Sequence, residues 1–223
     1  MSHALVLRHH EEDHIGLVGD ALCDRGWSLS SYLVVPGMDW PSLEAVDLVV
    51  VLGSKSSVYD PEVTASWFGE EMTYLRLADA QGIAILGVCF GAQALCLMSG
   101  GSVGPAPRGE VGWLTVSIHD AEVPRGPWFA YHDDHCHLPH NAELLGATPE
   151  AVQIFTIGRH FGVQFHPEVD GAQLRGWFAA GLDPRSETPE ALRDCEFADL
   201  QIDTLRSNVS QLVAAVLANA GLN

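Results

Sequence analysis

The sequence predicts an α/β fold in which a mostly parallel, doubly wound sheet carries helices on both faces. Short apolar runs alternate with helix-like segments through the first half of the chain. Residues 47–52 (DLVVVL) show no alternation of apolar and polar side chains, which indicates a strand covered on both faces, as in a parallel sheet. Repeated strand–helix–strand units of this kind favour a doubly wound arrangement.

The elements of the first half follow one another in a regular order. We expect strands at residues 4–8, 29–35, 47–52 and 83–88, and helices over about 15–25, 61–80 and 92–98. Pro61 suits the first turn of a helix because its nitrogen has no hydrogen to donate, and Gly82 suits the turn that ends one.

The pattern changes after residue 101. Short strand candidates at 111–118, 128–131, 144–147 and 152–157 are separated by glycine and proline, which predicts a small mixed or antiparallel extension. Residues 161–165 are typical of a strand returning to the main sheet, 183–190 of a loop, and about 197–218 of an amphipathic helix. Because neither a repeat nor a linker is recognisable, we expect residues 1–223 to form one domain.

The composition is that of a globular protein with an acidic surface. Of 223 residues, 47% are hydrophobic and 18% are charged, and the formal net charge is −18. Such a field repels nucleic acid, and no stripe of Lys and Arg offers a local exception. The sequence has no recognisable signal peptide or membrane-spanning run, and its five cysteines form no CxxC pair. We therefore expect a cytoplasmic protein with no membrane partner, no disulfide framework and no cysteine zinc site.

A candidate nucleophile lies where the strand at 83–88 meets the following helix. Cys89 stands in the sequence GVCFG (residues 87–91), with a glycine on either side of a strand-to-helix turn. Glycine lets neighbouring segments approach so sharp a turn, and the N-terminus of the helix favours a thiolate. The alternative is that Cys89 is a small buried apolar residue, as most free cysteines are.

A candidate general base follows the returning strand. In GVQFHPE (residues 162–168), His166 lies at the carboxyl end of the strand and Glu168 two residues later. In extended chain this spacing places both side chains on one face, where the carboxylate can hold the imidazole. A histidine that takes the proton of a thiol and is oriented by an acid completes the arrangement of a catalytic triad.

Together, GVCFGAQ and GVQFHPE resemble the nucleophile and His/Glu motifs of class I glutamine amidotransferases. VVVLGSKSSVYD resembles the family's oxyanion segment, GEVGW its E-I-G-W element, YHDDHCHLP its W-H-G-D-x-F-x-L-P element and VQIFTIG its N-Q-A-F segment. The resemblance runs from about residue 4 to residue 170 in the family's order. It is greatest to stand-alone members similar to the amidotransferase half of GMP synthetase, and it implies a flavodoxin-like sheet.

The resemblance implies a role for each matched residue. Cys89 would attack the glutamine carboxamide, and the backbone N–H groups of Ser54 and Phe90 would form the oxyanion hole. His166, oriented by Glu168, would protonate the departing ammonia and then activate the water that hydrolyses the glutamyl thioester. The residues implied in substrate binding are Gly53, Gln93, His132 and Asp133.

Two positions depart from the family pattern. The oxyanion segment has Gly53-Ser54-Lys55 where the family usually has Gly-Gly-Pro. A positive φ at Ser54 would cost about 1 kcal/mol or more, and the hole would then form only when a partner binds. Asp133 replaces a residue that is usually small, and its carboxylate would either suit the ammonium group of a substrate or simply be exposed.

Two histidine-rich stretches have the composition of a metal site, yet we expect neither to hold a metal. Residues 132–137 contain three histidines and two aspartates, but alternate residues of a strand end point to opposite faces. His9, His10 and His14 are expected to be solvated loop residues. No phosphate-binding loop is recognisable, so we also expect no nucleotide or other cofactor.

The function expected on these grounds is hydrolysis of glutamine that supplies ammonia to a synthase. Because no acceptor domain is recognisable, either a separate synthase subunit receives the ammonia or the enzyme acts alone. Two alternatives stay open. One is a stand-alone γ-glutamyl hydrolase or peptidase that uses the same three residues on a γ-glutamyl small molecule. The other is a catalytically silent regulatory module on the same fold.

Overall fold

The computed structural model describes residues 1–119, 122–186 and 188–222 and centres on an eight-stranded sheet. The strands are β1 His3–Arg8, β2 Ser28–Leu33, β3 Leu48–Val51, β4 Ala84–Val88, β5 Ser102–Leu114, β6 Ser117–Ile118, β7 Trp128–His137, β8 Ala142–Ala147, β9 Val152–Ile157 and β10 His160–Val163. The helices are α1 Gly16–Cys23, α2 Pro61–Val63, α3 Gly69–Ala80, α4 Phe90–Met98, α5 Gly171–Ala179, α6 Pro189–Leu200 and α7 Ile202–Ala220, with a π-helical turn Thr64–Phe68 between α2 and α3.

The main sheet has the order β2-β1-β3-β4-β10-β9-β8-β6. Its first five strands run parallel, and β9, β8 and β6 add an antiparallel edge. Alternate side chains of the parallel strands are buried on opposite faces: Val6 and Val50 join the cluster that contains α1 and α7, whereas Val49 and Val51 join the cluster that contains α3 and α4. The predicted mostly parallel sheet with helices on both faces is therefore confirmed.

The predicted extension exists, but the predicted limits of its strands were wrong. β5 and β7 form a separate antiparallel pair that begins at Ser102 and runs to His137, much longer than the expected segments 111–118 and 128–131. Pro105 and Pro107 are typical turn residues, yet both lie inside β5, where the pairing register shifts between Pro105 and Glu110. Proline is tolerated there because a bulge or an edge strand does not need its missing N–H.

The C-terminal tail contains two helices where the sequence predicted one. α6 begins at Pro189, because the side chain of Thr188 accepts a hydrogen bond from the N–H of Ala191 and Pro189 occupies the first turn. The expected loop at 183–190 therefore ends earlier than predicted, and its residue 187 lies outside the described residues. Within the part of the chain that the structure describes, no helix is long and apolar enough to cross a membrane.

Four parallel strands end at the same edge of the sheet and bring distant segments together. His9 follows β1, Gly53 follows the strand that ends in Val51, Cys89 follows β4, and His166 follows β10. Ligands of open α/β sheets bind at this carboxyl edge.

Candidate active site

Cys89 occupies a strained turn between β4 and α4. Its φ and ψ are 52° and −105°, a region that residues with a side chain rarely adopt. Its N–H donates to the carbonyl of Val163 at 2.8 Å, which ties the turn to β10. A Cβ on Gly87 would lie 2.4 Å from the carbonyl oxygen of Gly91, and one on Gly91 would lie 2.2 Å from that of Val51. Both glycines of the motif are thus required by close backbone contacts.

His166 and Glu168 form a buried pair beside Cys89. Nδ1 of His166 lies 2.7 Å from Oε1 of Glu168, and both side chains are almost fully buried. Burial opposes the charged imidazolium, but negative charge on Glu168 and on the sulfur of Cys89, together with hydrogen bonds to both, outweighs it, so the pKa of His166 is raised well above its ordinary value. The structure therefore brings the three predicted residues together in an arrangement that favours an imidazolium next to the sulfur.

A buried pair of glutamines lies below the sulfur, and one of them was not singled out from the sequence. The side-chain amide of Gln164 donates to Sγ of Cys89 at 3.6 Å and accepts from Nε2 of Gln93 at 3.4 Å. Gln93, expected to bind substrate, lines the cavity above the site and also holds Gln164 in place. The signal for Gln164 was its position in GVQFHPE, directly after the last residue of β10 and two residues before His166.

The expected oxyanion segment lies directly against the triad. A Cβ on Gly53 would lie 2.8 Å from Cε1 of His166 and 3.7 Å from Cβ of Cys89. Ser54 does not have a positive φ: among the described non-glycine residues only Ala45 and Cys89 do, so no strain of that kind opposes the segment. The N–H of Ser54 has no acceptor within the described chain, and that of Phe90, the first residue of α4, has no intrahelical one.

The β7 segment forms the opposite wall of the site. His132 is buried, with Nδ1 3.0 Å from the carbonyl oxygen of Asp134 and Nε2 3.3 Å from Oε2 of Glu110. The carboxylate of Asp134 accepts from Ser57 Oγ at 2.6 Å and from Tyr59 Oη at 2.5 Å. Asp133, by contrast, is exposed at the cavity. Both ring nitrogens of His132 are thus occupied, which leaves the backbone of this segment and the Asp133 carboxylate to meet a ligand.

Glu110 anchors this wall. Its Oε2 accepts from Nε2 of Gln153 at 2.7 Å and from Oγ1 of Thr148 at 2.9 Å. The GEVGW and VQIFTIG segments marked these positions in the sequence, but only as parts of a resemblance. Their contact with His132 depends on the pairing of β5 with β7 and on the packing of that pair against β9 of the main sheet.

The cavity above the sulfur encloses about 490 Å³. Trp177 packs edge-on against the His166 ring, with centroids 5.1 Å apart, and Lys55 and Asp13 also line the cavity. Burial and the nearby charge of Glu168 raise the pKa of the Asp13 carboxyl. The site therefore combines acidic and basic groups around a mainly polar space.

The expectation that His9 is a solvated loop residue was wrong, although His14 is exposed. The His9 side chain is only 2% exposed, and its ring packs against Trp67 and Phe90, with centroid distances of 4.9 Å to each, while those two rings lie 5.5 Å apart. Nδ1 lies 2.8 Å from the carbonyl oxygen of Gly53, and Nε2 lies 3.1 Å from Oε1 of Glu71. Sequence reasoning missed this contact because Glu71 is distant in the chain.

The stretch 132–137 does not converge on one point. His132 and Asp134 are buried, whereas the rings of His135 and His137 pack against each other with centroids 4.5 Å apart. Among the described residues, no group of three or more His, Cys, Asp or Glu side chains is arranged to hold a metal ion.

A cysteine on a strand-to-helix turn, beside a histidine–glutamate pair at the carboxyl edge of a doubly wound sheet, is an arrangement typical of the α/β enzymes that use nucleophilic catalysis. Within that class, the chain belongs to the class I glutamine amidotransferase family, whose model matches residues 17–176.

Relatives agree with this assignment. A glutamine-hydrolyzing GMP synthase of Phocaeicola vulgatus is 31% identical over 219 residues, covering 85% of this chain and 40% of that protein. One subunit of the glutamine-hydrolyzing GMP synthase of Ignicoccus hospitalis is 33% identical over 96 residues, covering 38% of this chain and 50% of the relative. A glutamine amidotransferase crystal structure from Thermotoga maritima has a TM-score of 0.86 at 26% identity, covering 97% of this chain and 98% of its own. The chain thus spans at most about half the length of these two curated relatives.

Proposed function

We propose that this protein hydrolyses the side-chain amide of glutamine, with Cys89 as nucleophile, His166 as general acid and base, and Glu168 as the group that orients His166. The observation that carries the proposal is the contiguous arrangement of carboxylate, imidazole and thiol at the carboxyl edge of the sheet, 2.7 Å separating the first two groups. Membership of the amidotransferase family supports glutamine as the amide.

The proposed reaction passes through a glutamyl thioester. The Cys89 thiolate adds to the carboxamide carbon, and the resulting oxyanion is received by the N–H groups of Ser54 and Phe90. His166 gives its proton to the amide nitrogen, the C–N bond breaks, and ammonia leaves. His166 then takes a proton from water, whose oxygen attacks the thioester carbon, and the C–S bond breaks to release glutamate. The sum is glutamine plus water to glutamate plus ammonia.

The remaining cavity residues suit the amino-acid end of the substrate. The Asp133 carboxylate would attract its ammonium group, and the backbone of residues 131–134 would supply further hydrogen bonds. Gly53 leaves room for the carboxamide beside His166, and Gln93 borders the same space. We expect His132 to act on the substrate only by holding this backbone, since its nitrogens are occupied.

We further propose that the ammonia is passed to a synthase encoded as a separate chain. The relative from Ignicoccus hospitalis is one subunit of a GMP synthase. Addition of a cell extract and purification of the component that stimulates ammonia release would identify such a partner. Glutaminase activity that no extract fraction alters would contradict this part of the proposal.

A γ-glutamyl hydrolase is the second candidate, because a cavity of about 490 Å³ leaves space beyond a bound glutamine. Competing turnover of glutamine and of γ-glutamyl amine conjugates separates the two. If the γ-glutamyl conjugates are cleaved much faster than glutamine, the protein is a γ-glutamyl hydrolase and not an ammonia donor.

The decisive experiment measures ammonia and glutamate release from glutamine by the wild-type protein and by Cys89→Ala. We expect equimolar products from the wild type and a loss of about 10³-fold or more in the variant. Cys23→Ala is the matched control, because Cys23 is an exposed thiol outside the site. No turnover, together with no labelling of Cys89 by a glutamine-like chloroketone, would favour a silent module.

A further inference from the structure

We infer that His9 and Glu71 form a buried positioning pair that orients the Gly53–Ser54 peptide, so that its N–H is held toward the oxyanion of the reaction. The inference rests on the proposed function and extends it to two residues that lie outside the triad. It starts from the hydrogen bond between Nδ1 of His9 and the carbonyl oxygen of Gly53, at 2.8 Å.

The geometry of the peptide bond links the two ends of this contact. In a trans peptide the C=O and the N–H point in opposite directions, so a partner that fixes the carbonyl of Gly53 also fixes the direction of the N–H of Ser54. Gly53 itself packs against His166 and Cys89, which places this peptide inside the site. Because the N–H of Ser54 has no acceptor within the described chain, it is available to a ligand.

The side chain of His9 has no freedom to turn away. Its ring packs against the adjoining rings of Trp67 and Phe90, and its second nitrogen lies 3.1 Å from Oε1 of Glu71, whose side chain is fully buried. Phe90 carries the other proposed oxyanion donor on its backbone, so the His9 ring contacts the side chain of one donor residue and the peptide that carries the other donor.

The hydrogen-bond partners and neighbouring charges of His9 favour its charged form. The carbonyl of Gly53 can only accept, so Nδ1 must carry a hydrogen. Burial disfavours the imidazolium, but the charge and hydrogen bond of Glu71 and the carbonyl of Gly53 outweigh it and raise the pKa of His9. Asp13 adds a further negative charge nearby. A cation hydrogen-bonded to the carbonyl polarises the peptide and strengthens the N–H as a donor.

This pair explains how the segment functions without the usual Gly-Gly-Pro. Ser54 has no positive φ, so its backbone conformation is not one that glycine alone would hold. An external anchor at the carbonyl replaces that local restriction. A preorganised donor of this kind is typically associated with a factor of about 10²–10³ in rate.

The test compares His9→Phe with His9→Asn. Phenylalanine keeps an aromatic ring against Trp67 and Phe90 but cannot donate a hydrogen bond, whereas the amide of asparagine places an N–H close to the position of Nδ1. We expect kcat for glutamine to fall about 10²-fold in His9→Phe with KM changed less than about threefold, and to stay within about tenfold of wild type in His9→Asn.

Two further measurements separate an effect on the oxyanion from general damage. Glutamate γ-semialdehyde forms a thiohemiacetal when the sulfur of Cys89 adds to its aldehyde carbon. Its binding should weaken in His9→Phe by about the same factor as kcat. Alkylation of Cys89 by iodoacetamide generates no oxyanion, and its rate should stay within about threefold of wild type. The inference would be overturned if the alkylation rate and kcat of His9→Phe fell by the same factor, or if kcat of His9→Phe equalled that of the wild type.

If His9→Phe does not fold, Glu71→Gln replaces it, since the amide keeps the shape and removes the charge. We expect kcat to fall about five- to tenfold there, with alkylation unchanged, and no fall would overturn the inference. A wild-type protein that releases no ammonia defeats the proposed function and this inference together. A wild type that turns over glutamine beside an equally active His9→Phe defeats the inference alone.

Discussion

The α-carbon of Gly53 faces the imidazole of His166 so closely that a methyl group on it would lie 2.8 Å from Cε1. A real Cβ does not occupy such a position, so the imidazole would have to move. Since His166 carries the proton in both proposed steps, the contact makes Gly53 a direct constraint on the reaction geometry.

Gly53→Ala should therefore lower kcat by about 10²-fold, because a displacement of about 1 Å in a catalytic group has an effect of that size. Steady-state glutaminase assays measure the change. Gly104→Ala is the matched control, since a Cβ there meets nothing within 4 Å. Retention of more than half the wild-type kcat in Gly53→Ala would show that the imidazole adjusts without loss.

Glu168→Gln should lower kcat by about 10²-fold or more and shift the alkaline limb of the pH profile to lower pH. The carboxylate helps to raise the pKa of His166, so its removal lowers that pKa and the imidazolium is lost at a lower pH. The pH dependence of Cys89 alkylation and of kcat/KM measures the shift. Glu143→Gln, at an exposed position on β8, is the control. An unchanged alkaline limb would contradict the assignment.

The same linkage predicts how stability depends on pH. The pKa of His166 is raised in the folded state, so protonation of His166 stabilises the fold. This stabilisation is complete at a pH below the pKa of His166 in the unfolded chain, and it is lost as the pH rises through the pKa of His166 in the folded protein. Urea titrations of wild type and Glu168→Gln across this range should show the larger fall in the wild type. Parallel curves would mean that the pair does not titrate with unfolding.

Gln164→Leu should slow Cys89 alkylation at neutral pH and lower kcat by roughly tenfold or more, since a hydrogen bond to a charged group is worth about 1.5–3 kcal/mol. The lost contact is the amide N–H that donates to Sγ at 3.6 Å. Alkylation rates measured against pH test the effect, with exposed Gln211→Leu as the control. A lower melting temperature without any change in thiol reactivity would assign Gln164 a purely structural role.

Glu110→Ala should lower the free energy of unfolding by about 1–3 kcal/mol and raise KM, because it removes the acceptor of the shortest hydrogen bonds that the side chains of Gln153 and Thr148 donate and loosens the wall that carries His132. Glu150→Ala is the matched control. Its partner Arg108 is 80% exposed, so that ion pair should contribute less than about 1 kcal/mol. Urea unfolding measures both variants, and equal losses would show that the buried network has no special role.

The sequence by itself determined the parallel part of the sheet and the three residues of the proposed triad. Both depend on local patterns. An apolar run such as 47–52 has to be covered on both faces wherever it folds, and the carboxyl ends of parallel strands meet at one edge, so Cys89 and His166 were expected to be neighbours on local patterns alone.

Only the tertiary structure decided the extent of β5 and β7, the network of Glu110 and the burial of His9. The length of an antiparallel pair depends on how far its partner strand continues, and prolines that are typical of turns are tolerated at a register shift. His9 and Glu71 are 62 residues apart, and nothing in the neighbourhood of either one indicates the other. Contacts between distant segments have no local signal, because they exist only once the strands between them have taken their order in the sheet.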